Sequence, residues 1–114
     1  MQPSPFCATA YVLSILSGRW KFQIVHCLLD GPMRFNQLQR ELGQITHRSL
    51  SLQLKQMQES GLVERTDHGT IPPRVDYALT TRGQALRPVL KAMHVWAVDN
   101  AEERVDAADP ATAP

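Results

Sequence analysis

Apolar residues recur three or four positions apart in four successive stretches of the chain, a spacing typical of amphipathic helices. Breaks that contain glycine follow at residues 17–18, 30–32, 43 and 61, where helices commonly end. The pattern therefore predicts four short helices, each burying one face. Their apolar stripes are Ala8, Val12, Ile15 and Leu16; Trp20, Ile24, Cys27 and Leu28; Phe35, Leu38 and Leu42; and Leu50, Leu54 and Met57.

After Gly61 the apolar period shortens from that of a helix to that of a strand. Residues 62–65 and 75–79 carry β-branched and aromatic side chains, and residues 67–73 between them contain glycine and prolines. This arrangement predicts a β-hairpin with a long tip.

A last helix is predicted after the hairpin, beginning at a cap formed by Thr80 or Thr81. Pro88 falls inside this helix and should bend it, because proline removes a backbone donor. Its apolar stripe is long enough to bury against a large surface and consists of Leu86, Leu90, Met93 and Trp96. The fold class is therefore mainly α with a small β-hairpin.

Helices followed by a hairpin are the element order of a winged helix-turn-helix, and the predicted pair at 35–42 and 47–60 has the short turn that this fold requires. Thr46 can cap the second helix of the pair. At about 100° per residue, the apolar stripe of that helix lies on one side. The opposite side carries residues that can contact phosphates or base edges: Arg48, Ser51, Leu52 and Lys55.

Two residues on or beside this face allow two interpretations. Leu52 is either an ordinary exposed leucine or a contact for a thymine methyl group. His47, near the start of the helix, either contacts a base or phosphate or is a solvated residue of the first turn.

Composition is that of one globular domain, with 43% hydrophobic and 20% charged residues among 114. Neither a long apolar run nor a basic signal region is present, which predicts a soluble cytoplasmic protein without membrane contact. The formal charge of +1 conceals an asymmetry: residues 99–114 carry five acids and one base, leaving eleven bases and six acids in residues 1–98. We expect a domain over residues 1–100 and an acidic, disordered tail over 101–114.

Enzyme motifs are missing from the sequence, including nucleophile elbows and glycine-rich phosphate loops. The histidines and cysteines are scattered without metal-ligand spacing. We therefore expect neither catalysis nor a cofactor nor a metal.

Several separate motifs follow one another between about Cys7 and Trp96. They are Gly-Arg-Trp-Lys at 18–21, residues 29–35, Ile45-Thr46 with Leu50 and Leu54, residues 60–65, residues 72–77, and Leu-Thr-Thr-Arg-Gly at 79–83. In order and spacing these motifs resemble those of the HxlR-type winged helix-turn-helix regulators.

The resemblance implies a bacterial transcriptional regulator that binds a pseudo-palindromic double-stranded DNA operator as a homodimer. The first and last helices would build the dimer interface, through Val12, Leu16, Leu90, Met93 and Trp96. On the hairpin, the resemblance implies that Arg65, Arg74 and His68 place the wing against the DNA backbone or minor groove, although His68 is equally a mobile loop residue. Neither Leu52 nor Gln53 matches the bases that relatives often carry at these positions, so a sequence preference does not transfer.

Cys7 occupies the place of an N-terminal cysteine that senses oxidants or electrophiles in some family members. Sensing requires an exposed thiolate, favoured near the start of the first helix or beside Arg19 or Lys21. Oxidation would join Cys7 to its copy in the partner chain or to Cys27. The alternatives are that Cys7 is a small buried hydrophobe and that a small ligand carries the signal. Cys27, on an apolar stripe, is expected in the core.

One further class of function stays open, a winged helix that binds another protein rather than DNA. The outward Leu52 suits this class, whereas the pair of bases Arg48 and Lys55 favours DNA.

Overall fold

The computed structural model describes residues 5–101, so the predicted tail over 101–114 lies outside the described residues except for its first residue. Within this part the chain divides into two compact units, one ending at Gln84 and one beginning at Ala85. The first contains helices α1 (Pro5–Ile15), α2 (Lys21–Leu28), α3 (Phe35–Leu42), α4 (His47–Glu59) and α5 (Thr81–Gln84), with strands β1 (Met33–Arg34), β2 (Val63–Asp67) and β3 (Val75–Leu79). The second contains α6 (Arg87–Asp99).

The four predicted helices and both hairpin strands are present. The inward stripes of α2, α3 and α4 form the core, whereas in the predicted stripe of α1 Ala8 is exposed and Val12 and Ile15 are only half-buried. Several apolar positions of α2, α3 and α4 are among the most deeply buried of the described residues. These are Ile24, Val25, Leu28, Leu38, Leu50, Leu54 and Met57. None of the helices between residues 5 and 101 is long and apolar enough to cross a membrane.

The sheet has three strands, in the order β1-β3-β2, with both pairs antiparallel. The sequence predicted the hairpin of β2 and β3 but missed β1, which is only two residues long. A strand of this length shows no alternation, so it depends on pairing of Met33 with Tyr77 and of Arg34 with Asp76. The result is a winged helix-turn-helix fold with a sheet that begins before α3.

The turn between α3 and α4 sets the direction of α4. Gly43 ends α3 with a φ of +89°, a conformation that favours glycine. Ile45 is buried and anchors the turn in the core. The Thr46 side chain accepts a hydrogen bond from the Ser49 N–H at 3.0 Å, which confirms its predicted role as the cap of α4.

The predicted last helix is divided in two, which corrects the expectation for Pro88. Thr80 Oγ1 accepts a hydrogen bond from the Gly83 N–H at 3.1 Å and so caps the short α5. A separate helix, α6, then begins at Arg87, with Pro88 in its first turn. Proline fits there because N–H groups of the first turn have no partner within the helix. Pro88 therefore lies in the first turn of α6 and does not bend a longer helix.

Candidate nucleic-acid interface

Helix α4 has one face in the core and one in solvent, as its 100° periodicity predicted. Leu50, Leu54 and Met57 are at most 1% exposed. The C-terminus is closed by two hydrogen bonds, from the Gly61 N–H to the Gln58 carbonyl and from the Leu62 N–H to the Met57 carbonyl. This Schellman arrangement uses Gly61 at a φ of +77°. Both ends of α4 are therefore capped, and its exposed face has a defined orientation.

That exposed face contains the four predicted contact residues. Arg48, Ser51 and Lys55 are exposed, and Leu52 is 51% exposed. The first turn of α4 contains no acid. The face therefore presents two positive charges, a hydroxyl and an apolar side chain to whatever approaches α4.

His47 begins α4 and is exposed, yet it has a defined neighbour. Its ring centroid lies 4.5 Å from that of Phe35, the first residue of α3. Phe35 also lies against Tyr77 of β3, with ring centroids 6.4 Å apart. A chain of aromatic contacts thus connects the start of α4 with the sheet of the wing.

The wing is organised around Asp76, which the sequence analysis did not single out. The His68 ring donates a hydrogen bond to Asp76 Oδ2 at 2.9 Å, and Arg74 donates one to the same oxygen at 3.4 Å. These contacts, first of all the one with His68, keep the pKa of the Asp76 carboxyl below its usual range. Asp76 therefore stays ionised and holds both predicted wing residues in place.

Strand register divides the three predicted wing residues between two faces of the sheet. Arg65 pairs with Tyr77, whereas Thr66 pairs with Asp76. Because side chains alternate along a strand, Arg65 lies on the face opposite Asp76 and Arg74. The sequence offered one indication of a role for Asp76, its position two residues after Arg74. Only the register of β1 and β2 against β3 identifies which residues lie opposite it.

Arg82 connects α4 to α1. Its Nε donates to the Ser60 carbonyl at the end of α4 at 3.1 Å, and its guanidinium donates to the Tyr11 hydroxyl. The guanidinium carbon lies 5.6 Å from the centre of the Tyr11 ring. Arg82 thus acts as a positioning residue that ties the end of α4 to the first helix.

The two cysteines differ in environment. Cys7, the third residue of α1, is exposed, whereas Cys27 is half-buried on α2. Burial, followed by the charge of Glu41, raises the pKa of the Cys27 thiol. Among residues 5–101, no three His, Cys, Asp or Glu side chains are grouped as a metal site would require.

The residues predicted for a dimer interface differ in how exposed they are to solvent, and therefore in whether a partner chain could contact them. Leu16 is 1% exposed within the chain itself, so its side chain belongs to the core and not to a surface that a partner could contact. Val12 and Leu90 are half-buried, and Met93 and Trp96 are exposed. No residue of α6 is buried. Other apolar side chains of these two helices are also exposed: Tyr11 and Leu13 on α1, and Val89, Val95 and Val98 on α6.

Known proteins match most of the chain. The model of the HxlR-like helix-turn-helix family matches residues 15–105. An uncharacterised helix-turn-helix-type transcriptional regulator of Halalkalibacterium halodurans is 41% identical over 101 residues, which cover 88% of this chain and 87% of that protein.

Two solved regulators have similar structures. The redox regulator HypR in its reduced form has a TM-score of 0.78 at 34% identity, covering 82% of this chain and 93% of that one. The reduced form of the transcriptional regulator YodB from B. subtilis has a TM-score of 0.73 at 34% identity, covering 84% and 92%. Given the family match over residues 15–105, the chain belongs to the HxlR-like helix-turn-helix family and is a transcriptional regulator, not an enzyme.

Proposed function

We propose that this regulator binds a pseudo-palindromic operator in the cytoplasm as a homodimer, with residues 1–100 acting as one DNA-binding and dimerisation domain. The observation that carries the proposal is the exposed face of α4, where Arg48, Ser51, Leu52 and Lys55 lie opposite the buried stripe. A helix with this composition can enter the major groove, where bases and phosphates offer acceptors and thymine offers a methyl group.

A two-fold dimer would present two copies of α4 to half-sites about one helical turn, roughly 34 Å, apart. Apolar side chains on α1 and on α6, among them Met93 and Trp96, are exposed to solvent in the single chain. Their exposure supports a dimer, because a partner chain would remove apolar surface from water. The wing would follow the DNA backbone or minor groove through Arg74 and His68, which Asp76 holds in place. Arg65, on the other face of the sheet, would make a separate contact.

The test is a fluorescence-anisotropy titration of the purified protein against its own upstream DNA and a scrambled duplex, at several salt concentrations. We expect tighter binding to the upstream duplex and a steep loss of affinity with salt. The logarithm of the binding constant should fall with the logarithm of salt at a slope of about −0.9 for each phosphate contacted. Equal affinity for both duplexes would contradict sequence-specific binding.

A second candidate function is a winged helix that binds another protein, favoured by the 51% exposure of Leu52. The same titration separates the two candidates. A protein-binding module would fail to bind either duplex at any salt concentration.

Cys7 is our proposed sensor of oxidants or electrophiles. Its support is its exposure on α1 and the similarity to solved structures of HypR in its oxidised form and of YodB treated with diamide or bound to quinone. Two Cys7 thiols, one from each copy, would form one S–S bond and give up two protons and two electrons, which reduce diamide to its hydrazine. The bond would move the two copies of α4 out of register with the grooves.

Diamide treatment should therefore weaken operator binding by about tenfold or more in the wild type, which corresponds to about 1.4 kcal/mol. The Cys7→Ser variant should keep its affinity, and Cys27→Ser serves as the matched control that should behave like the wild type. Loss of the response in Cys27→Ser as well would indicate a Cys7–Cys27 bond. Unchanged affinity of the oxidised wild type would rule out thiol sensing and favour a small ligand as the signal.

A further inference from the structure

A basic groove lies between the start of α3 and the return of the wing. It is open to solvent and has a volume of about 650 Å³. Arg34, Phe35 and Arg40 line one side, and Arg74 lines the other. Three of its eight lining residues are arginines and none is an acid.

The positive charge of this groove is only partly compensated. Asp76 accepts a hydrogen bond from Arg74 at 3.4 Å and is paired across the sheet with Arg34. The same carboxylate also accepts a hydrogen bond from His68. The carboxylate of Asp76 can neutralise one of the three guanidinium groups that line the groove, which leaves two positive charges there. Arginine suits phosphate because its planar guanidinium can donate two parallel hydrogen bonds.

Helix α3 adds donors of its own to this groove. Arg34 stands at the cap position but makes no side-chain hydrogen bond to the first turn. Asn36 and Gln37, the next residues of that turn, line the groove. The N–H groups of a first helical turn have no partner within the helix and favour an anion.

The groove lies beside the start of α4. Phe35 lines it, and the Phe35 ring lies 4.5 Å from that of His47, which begins α4. On the other side the groove ends at Arg74 of the wing. The groove therefore lies between the start of α4 and the wing, the two elements that the proposed function places against DNA.

We propose that this groove binds a phosphodiester group of the operator backbone, with Arg34 and Arg40 as contacts that neither the sequence nor the family comparison assigns. The inference rests on the proposed function, because it requires that the protein bind DNA. A backbone contact here carries no sequence information and sets the register of α4 in the major groove.

The first test replaces Arg34 and Arg40 by glutamine, singly and together, and measures Kd for the upstream and scrambled duplexes over a series of salt concentrations. We expect each single variant to weaken binding to both duplexes by about tenfold, as loss of a charge-assisted hydrogen bond would. The salt slope of the double variant should be smaller by about 0.9, one phosphate contact. Arg19→Gln is the matched control, since Arg19 is exposed and stacks on Trp20 outside the groove lining.

A second test locates the phosphate. Neutral methylphosphonates replace the phosphates of one operator strand one at a time. One of them should weaken binding by the wild type but leave the affinity of the double variant unchanged, because that variant no longer uses the contact.

Three outcomes distinguish failure of the proposed function from failure of the groove inference. If the wild type binds no duplex, the proposed function fails. If the wild type binds but the double variant keeps its affinity and salt slope, only the groove inference is overturned. If the variants keep their DNA affinity but lose binding of inorganic phosphate, seen by NMR titration of the wild type, the groove is a site for a free anion and not for DNA.

Discussion

Replacing Gly83 by alanine should destabilise the protein by about 3 kcal/mol or more, at the upper end of what overpacking a core costs. A Cβ atom at this position would lie 2.3 Å from the Leu62 carbonyl oxygen and within 3.2 Å of the Leu79 side chain. The oxygen is backbone and accepts a hydrogen bond from the Thr80 N–H at 3.0 Å, so it cannot rotate away. Relief would require α5 to move off the start of β2.

Thermal and urea unfolding at a fixed protein concentration would measure this effect. For a domain of this size, 3 kcal/mol corresponds to a fall in Tm of about 12 °C or more. Gly69→Ala is the control, because Gly69 has a φ of +66° but no atom lies within 4 Å of the position that its Cβ would take. That variant should lose only about 1–2 kcal/mol, from the left-handed backbone alone. Similar losses in both variants would contradict a steric origin at Gly83.

Gly83 also shows which features a sequence does not reveal. The motif at 79–83 supported the family resemblance, but the reason that glycine stands at position 83 is the contact with Leu62, twenty-one residues away. Local pattern predicted the cap of α4, a threonine cap for the helix after the hairpin and the ends of the first four helices, because these depend on residues three or four positions apart. It could not predict contacts between distant segments.

The distinction between local patterns and contacts of distant segments also explains the other differences between the sequence-based predictions and the structure. The faces of α4 followed from its periodicity, because a regular helix turns by a constant angle. Three features depend instead on how the folded chain brings distant side chains and strands together. They are strand β1, the ion pairs of Asp76, and the hydrogen bond from Arg82 to Tyr11. Leu16 was assigned to the dimer interface through the family resemblance, and only the folded chain distinguishes its 1% exposure from the 58% exposure of Leu13.

Charge reversal on α4, Arg48→Glu with Lys55→Glu, should weaken operator binding by at least about a hundredfold. Each base is expected to contribute about 1–3 kcal/mol through a phosphate or base contact, and the new carboxylates repel the backbone. Both side chains are exposed, so the free energy of unfolding should change little. Thermal unfolding of the variant would verify that the fold is retained.

The single variants Arg48→Ala and Lys55→Ala show what each side chain does. A phosphate contact, when lost, weakens binding to the upstream and scrambled duplexes by the same factor and makes the salt slope smaller by about 1. A base contact, when lost, weakens binding to the upstream duplex only and relaxes the preference at one base pair. We expect the second behaviour for Arg48, one residue after the start of α4, because the N-terminal residues of a recognition helix lie deepest in the groove. Arg19→Ala changes the net charge as much as either single variant, and an equal loss of affinity in that control would mean that overall charge, not the face of α4, determines binding.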